Sequence, residues 1–259
     1  MDHDEALALF DRQLRRNAQA DGPGTRVERV GGVVRQVGGA SHDWNGIVWS
    51  DLDPATADAE IEAQVRYFTA LGLEFEWKLY AHDRPADLAG RLRAAGFEPE
   101  PPETLMVARI SDLHTDIELP DGVGLYEVTD AAGVDLAADV YEHAFAMSGG
   151  RLRQRMHAQL AESPETVRMT LAMAGDLPVC AARMELHPGT EFAGLWGGGT
   201  IASWRGRGIY RALIAHRVRT AAELGYRYLQ VDASDQSRPI LQRLGFAALS
   251  TTTPYQYQP

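Results

Sequence analysis

The course of the chain from Ala57 to Phe97 is followed a second time near its end, and such a repeat constrains the fold more than any other feature of the sequence. ADAEIEAQVRYFTALG (57–72) has helical periodicity and stops at Leu71-Gly72. A strand, FEWKLYAHD, follows and ends at Asp83, and LAGRLRAAGF then reads as a helix closing on Gly96-Phe97. In the second half a helix runs to Leu224-Gly225, a strand to Asp232, and a helix closes on Gly245-Phe246. Glycine just past a helix supplies the left-handed residue that ends it. Helix–Gly–strand–helix is a common succession in α/β proteins. Superposing the two Gly-Phe pairs, however, also superposes Asp83 on Asp232 and Leu92 on Leu241, which marks a degenerate duplication. A chain of 259 residues accommodates two domains of ordinary size. The expected division is 1–115 and 116–259, with SDLHTDIELPDG (Ser111 to Gly122) as linker.

The second half reads as β-α-α-β-β-β-α-β-α-β. GVGLYEV (Gly122 to Val128) is a strand, and Thr129 or Asp130 caps a helix to about Met147. RLRQRMHAQLAE (Arg151 to Glu162) is a second helix. TVRMTLAMA, LPVCAARMEL and EFAGLWGGGTI are antiparallel strands turning at Gly175-Asp176 and Pro188-Gly189. The next helix is stopped by Gly225, and YRYLQVDA, SRPILQRLG and TPYQYQ give a strand, a short helix and a last strand. The expected fold is α/β (α+β), each half a mixed, mostly antiparallel sheet flanked by helices.

One stretch in this order is chemically unusual. SWRGRGIYRALIAHRV (Ser203 to Val218) opens its helix with Arg205, Gly206, Arg207, Gly208, Ile209, Tyr210 and Arg211. A helix N-terminus leaves backbone N–H groups unpaired and carries partial positive charge, and a phosphate satisfies both. The phosphate must approach the backbone, which Gly206 and Gly208 permit, and the three arginines can pair with its oxygens. A flexible turn and an RGG-like RNA contact are the other readings of Arg-Gly pairs. A Walker A loop is excluded for lack of Gly-Lys-Ser/Thr, and a dinucleotide fingerprint by its glycine spacing.

The stretch resembles motif A of the GCN5-related N-acetyltransferases, Gln/Arg-x-x-Gly-x-Gly/Ala, with Arg205 at the first position and Gly208 at the fourth. Tyr210 stands where Gly or Ala is usual. The element order from Gly122 onward also matches that family, Val231 to Phe246 resembles its second motif, and the N-terminal half resembles the worn copy of tandem-domain members. The resemblance implies acetyl-CoA as co-substrate, its pyrophosphate held by backbone amides over Arg205 to Arg211. It also implies that the preceding strand splays from its neighbour and pairs with the pantetheine arm through Gly198, Gly199 and Thr200. Three successive glycines in a strand fit the close approach of a ligand backbone; a plain β-bulge is the alternative. The helix that matches in the first half is preceded by SDLDPATAD. There Asp51, Asp53 and Asp58 would repel a pyrophosphate and Asp can cap the helix, so no cofactor is expected in that half.

The implied reaction is transfer of an acetyl group to the primary amine of a small molecule. It needs a base to take the amine proton and a donor for the oxyanion, for which a backbone N–H between Trp196 and Thr200 is placed. Glu191 and Glu185, on or beside the central strands, are the candidate bases, and Glu142 and His143 on the first helix of this half are candidate lining residues. The tyrosine that serves as acid in many family members would stand at Leu241, so that role is vacant or filled elsewhere, with Tyr210 and Tyr255 as substitutes. A non-catalytic acyl-CoA-binding or regulatory module and a protein N-terminal acetylase are the alternative functions.

Charge and composition narrow the partners. The net charge of −11 speaks against nucleic acid and weakly favours a cationic acceptor. No apolar run reaches the ~20 residues of a membrane span, and the acidic N-terminus, with Leu7, Phe10 and Leu14 at helical spacing, reads as a surface helix and not a signal peptide. The eight histidines have no metal-ligand spacing, so no metal is expected. The single cysteine, Cys180, reads as a buried apolar thiol, and its solitude favours the cytoplasm. Lys78 is the only lysine, a bias expected of a GC-rich bacterial genome. Nothing in the sequence fixes an oligomeric state.

Overall fold

The computed structural model describes residues 1–22, 24–146 and 149–259. It divides into two compact units, and the division is not the expected 1–115 and 116–259. The first unit comprises residues 2–106, 232–238 and 248–259; the second comprises 107–231 and 239–247, with Met1. The reason lies in strand pairing, which is non-local and invisible to periodicity.

The first unit begins with α1 (His3–Phe10), which continues as a wider, π-type turn over Asp11–Arg16. That widening changes which side chain faces inward. Leu7 and Leu14 are half-buried, whereas Phe10 and Arg15 are buried. The Arg15 guanidinium forks onto both Asp83 oxygens at 2.8 and 2.7 Å. Then come β1 (Arg26–Val30), β2 (Val33–Val37) and β3 (Gly46–Ser50), paired antiparallel in sequence. A crossover through α2 (Ala57–Leu71) leads to β4 (Phe75–Tyr80), parallel to β3. Gly72, at φ +66°, ends α2. After α3 (Leu88–Ala94) and β5 (Glu98–Pro99), β6 (Glu103–Arg109) runs out of this unit at Met106. Phe68, Phe75, Trp77, Leu92 and Phe97 form its core.

The second unit is an antiparallel meander followed by one crossover. β7 (Val123–Glu127) leads into α4 (Ala131–Phe145), whose Asp130 cap accepts a 2.8 Å bond from Gly133 N–H. Its expected end near Met147 lies outside the described residues. α5 (Gly150–Glu162), β8 (Val167–Ala174), β9 (Leu177–Leu186) and β10 (Phe192–Thr200) follow, with β7–β8–β9–β10 paired antiparallel. α6 (Ile209–Glu223) then crosses to β11 (Tyr228–Ala233), parallel to β10. The alternation of each strand sorts two cores. Val167, Met169, Leu171 and Ala181 pack with α4 and Met156 of α5, while Ala172, Val179, Cys180 and Ala182 pack with Ile209 and Leu213 of α6.

α7 (Arg238–Arg243) precedes β12 (Ala247–Tyr257), which is longer than TPYQYQ and belongs to the first unit from Ala248 on. Its residues Thr252–Tyr257 pair antiparallel with Tyr80–Phe75 of β4. The C-terminal strand therefore completes the sheet of the N-terminal unit. The repeat read from the sequence has its counterpart in conformation. Gly72 and Gly225 are left-handed (φ +66° and +84°), as are Gly96 and Gly245 (+93° and +102°), and Leu92 and Leu241 are both wholly buried.

Candidate functional site

β10 and β11 keep a paired register only from Phe192 to Gly194 against Tyr228 to Gln230. Beyond Gly194 the two strands no longer share that register. On its other side β10 shifts register against β9 between Trp196 and Gly199, with Gly197 at φ +59°. That is a β-bulge, and the glycines around it have identifiable neighbours. A Cβ on Gly198 would stand 2.8 Å from the Tyr210 ring, and one on Gly199 would stand 2.8 Å from both Ala144 Cβ and the Phe145 ring. Protein side chains thus fill both positions, while β10 beyond Gly194 has no paired register with β11. Thr200 closes the strand and donates to the Cys180 sulfur at 3.1 Å.

A short 3-10 turn, Ala202–Trp204, leads to the helix start. Gly206 (φ +77°) and Gly208 (φ +86°) are both left-handed, Gly208 is the N-cap of α6, and no side chain caps it. The first-turn N–H groups at Ile209, Tyr210 and Arg211 therefore point out of a turn without a Cβ. The three arginines do not share one role. Arg205 donates to Thr200 O at 3.0 Å and Ala144 O at 2.7 Å, tying the loop to β10 and α4. Arg207 lies 4.3 Å over the Trp204 ring, and Arg211 lies across Gly208, its Nη2 3.5 Å from where a Cβ would stand. Arg207 and Arg211 are exposed, so the positive charge at the helix start comes from them and from the helix dipole.

The two candidate bases are placed differently. Glu191 precedes β10, is half-buried, and pairs with Arg227 at 3.1 Å, at the end of the strand away from the bulge. Glu185 is buried on β9, in register with Gly194, and pairs with Arg183 at 3.3 Å and Arg155 of α5 at 3.7 Å. Three side chains that sequence reasoning passed over meet beside it. A Cβ on Gly194 would lie 2.7 Å from Gln230 Nε2, 2.8 Å from Trp196 Nε1 and 3.4 Å from His187 Nε2. Gly194 is thus packed closely against these three side chains, at the point where β10 leaves the register of β11. The signal is present in the alternation: residues 183 and 185 share one face of β9, as 194 and 196 do on β10, and His187 follows just beyond the end of β9.

The remaining candidates serve local structure. Glu142 accepts from Gly149 N–H at 3.1 Å, and His143 Nδ1 bonds Asp139 O at 2.6 Å. Tyr255 is in the core of the first unit and Leu241 is wholly buried. Tyr210 alone of the two tyrosines adjoins the bulge, and burial raises its pKa. Burial also pushes the Cys180 thiol up to about 11, so it is no nucleophile at neutral pH. In the first unit Asp53 accepts from Ala55 N–H at 2.7 Å and Asp58 pairs with Arg91, while Thr56 stands at the N-cap of α2. A separate cavity of about 700 Å³, lined by Thr115 to Leu119, Leu125, Ala212 and Arg219, contains none of the residues of the bulge or the glycine turn. Among the described residues no group of three or more His, Cys, Asp or Glu is placed to hold a metal ion, and no helix is long and apolar enough to cross a membrane.

Solved structures share this architecture over nearly the whole chain. A GCN5-related N-acetyltransferase from Kribbella flavida is 19% identical, with a TM-score of 0.70 over 99% of this chain and 94% of its own. A conserved protein of unknown function from Staphylococcus epidermidis is 13% identical, with a TM-score of 0.69 over 94% and 96%. A tandem GNAT protein from the clavulanic acid biosynthesis pathway is 13% identical, with a TM-score of 0.61 over 93% and 86%. No protein-family model and no curated protein matches the sequence. Likeness at these identities establishes the fold: the chain has the architecture of the GCN5-related N-acetyltransferases, and a tandem protein of that kind shares it over 93% of this chain.

Proposed function

We propose that the second unit is an acetyl-CoA-dependent N-acetyltransferase acting on the primary amine of a small molecule. The observation that carries this reading is the conjunction of the uncapped glycine turn at Gly206–Gly208 with the bulged end of β10, paired with β9 but not with β11. The turn offers N–H groups and the α6 dipole to a pyrophosphate. The free edge of β10 offers a ladder of backbone groups to the amide-bearing pantetheine arm, from Gly198 to Thr200.

In this reading the acyl carbonyl lies at the bulge, where a backbone N–H between Trp196 and Thr200 receives the developing oxyanion. The amine approaches on the face of the sheet that carries Gly194 and Trp196 of β10 and Glu185 of β9. Its nitrogen attacks the carbonyl carbon, the C–S bond breaks, and the electron pair leaves on sulfur. Glu185, and not Glu191, is the carboxylate placed to take the amine proton. With Leu241 at the usual tyrosine position, the thiolate leaves without a tyrosine acid from α7. The cytoplasm is the compartment in which such a reaction would find its donor.

The test is acetyl-CoA turnover, read as free thiol release, across amines, amino acids and aminoglycosides. Turnover on at least one amine, absent without it, is the expected result. Tight acetyl-CoA binding with no amine acetylated would favour an acyl-CoA-binding module, and no binding at all would remove the proposal.

A further inference from the structure

Arg217, two turns beyond Tyr210 on α6, is 2% exposed and lies beneath the bulge. Its Nε donates to Leu213 O at 3.3 Å and its Nη1 to Arg183 O at 3.1 Å. Arg183 is the residue opposite Trp196, the last pair before the register of β9 and β10 shifts. Nη2 lies 3.5 Å from where a Cβ of Gly198 would stand. The ionisable groups that face Arg217 are the Tyr210 phenol and the Cys180 thiol, and burial pulls its pKa down. No carboxylate pairs with it among the described residues.

A guanidinium buried without a counter-charge is destabilising by several kcal/mol, and a well-packed apolar side chain of the same volume is commonly better tolerated. Arg217 is therefore a poor choice for packing alone. It is a good choice for two other tasks, because its planar fork fixes carbonyl groups at set angles and its charge cannot be titrated away.

We infer that Arg217 is a positioning residue for the bulge. Held by Leu213 O, it clamps the β9 carbonyl at the register shift, backs Gly198, and so fixes the direction in which the N–H groups of Trp196 to Gly199 point. The catalytic consequence rests on the acyl-transfer reading above; the clamp itself does not.

Two measurements on the full chain test the inference in Arg217→Met and Arg217→Lys. Hydrogen exchange reads the amides of residues 196–199. In Arg217→Met they should exchange at least about tenfold faster, equivalent to about 1.4 kcal/mol of lost protection, while β8 keeps its protection. In Arg217→Lys, which keeps the charge but not the planar fork, they should exchange at a rate between those of Arg217→Met and the parent. On the best amine, kcat should fall at least about tenfold in Arg217→Met with the KM for acetyl-CoA nearly unchanged, and recover in part in Arg217→Lys. Unchanged exchange at 196–199 overturns the inference, and so does a uniform loss of protection across the unit in both variants, which marks a purely structural residue. Should Arg217→Met not fold, Arg217→Gln, shorter and uncharged, is read by the same criteria. If no amine is acetylated by the parent protein, the exchange result still decides the clamp.

Discussion

α2 and α6 are both fifteen residues long, both follow a strand and a short loop, and both return the chain to a parallel neighbour, β4 or β11. They differ at one end. α6 opens on Gly208 in a left-handed conformation, with Arg207 and Arg211 exposed beside it. α2 opens on Thr56 after Asp53, whose carboxylate already accepts from Ala55 N–H. One helix start presents open N–H groups under positive charge; the other has a carboxylate within its turn. Neither helix start has a side-chain cap; in the proposed reading the anion site belongs to α6, and what separates the two starts is the pair of arginines beside one and Asp53 just before the other.

The largest expected effect lies at Glu185, the carboxylate opposite Gly194 in the second unit. Glu185→Gln should lower kcat on the best amine by about 10²–10⁴-fold, the range for one general base, with acetyl-CoA affinity by calorimetry nearly intact. Glu191→Gln, which disturbs a surface pair with Arg227, should leave kcat within about threefold. If Glu185 serves only Arg155 and Arg183, its replacement will lower the melting temperature and spare kcat.

Next in size is the helix start. Gly208→Asp forces a side chain into φ +86° and sets a carboxylate where Arg211 now lies, making α6 resemble α2. Acetyl-CoA affinity should fall at least tenfold, about 1.4 kcal/mol. Gly208→Ala shares the backbone strain without the charge and should lose less. Equal losses would show that shape and not charge separates the two helices, and unchanged affinity in a folded Gly208→Asp would remove the assignment of the turn.

The smallest effect sharpens the comparison from the other side. In the first unit Lys78 pairs with Asp232, and Glu103 nearby is pushed up to about 7, by burial first and then by the Asp232 charge. An unfolded glutamate ionises near its ordinary value of 4.5, so between those two values the folded state holds the extra proton. Stability from this group is present below about pH 4.5, is lost as pH rises through about 7, and changes no further above it. Glu103→Gln should remove that slope in denaturant titrations between pH 5 and pH 8 while leaving acetyl-CoA binding unchanged. Persistence of the slope would place the titration elsewhere.

Much of this molecule is local and therefore legible in the sequence. The glycines at 72, 96, 225 and 245 announce helix ends because only a residue without a Cβ takes those positive φ angles at no steric penalty, and all four are left-handed here. Asp130 marks the start of α4 because its short side chain reaches an N–H three residues on. Gly206 and Gly208 marked the turn before α6 for the same backbone reason. What the sequence could not supply is which side chain meets which across distant elements. The motif places Arg205 at the head of the glycine turn but does not show that it binds the carbonyls of Thr200 and Ala144, the latter far away along the chain. The close packing at Gly194 brings together His187 from just beyond β9, Trp196 of β10 and Gln230 of β11. A slip into the π-type turn at Asp11–Arg16 turned Arg15 inward toward Asp83, against the helical spacing of Leu7 and Leu14. The division into units was decided last of all, by β12 pairing with β4. Strand partners are chosen by hydrogen-bonding edges that any extended segment carries, so the pairing depends on the whole fold and not on the eleven residues of the strand.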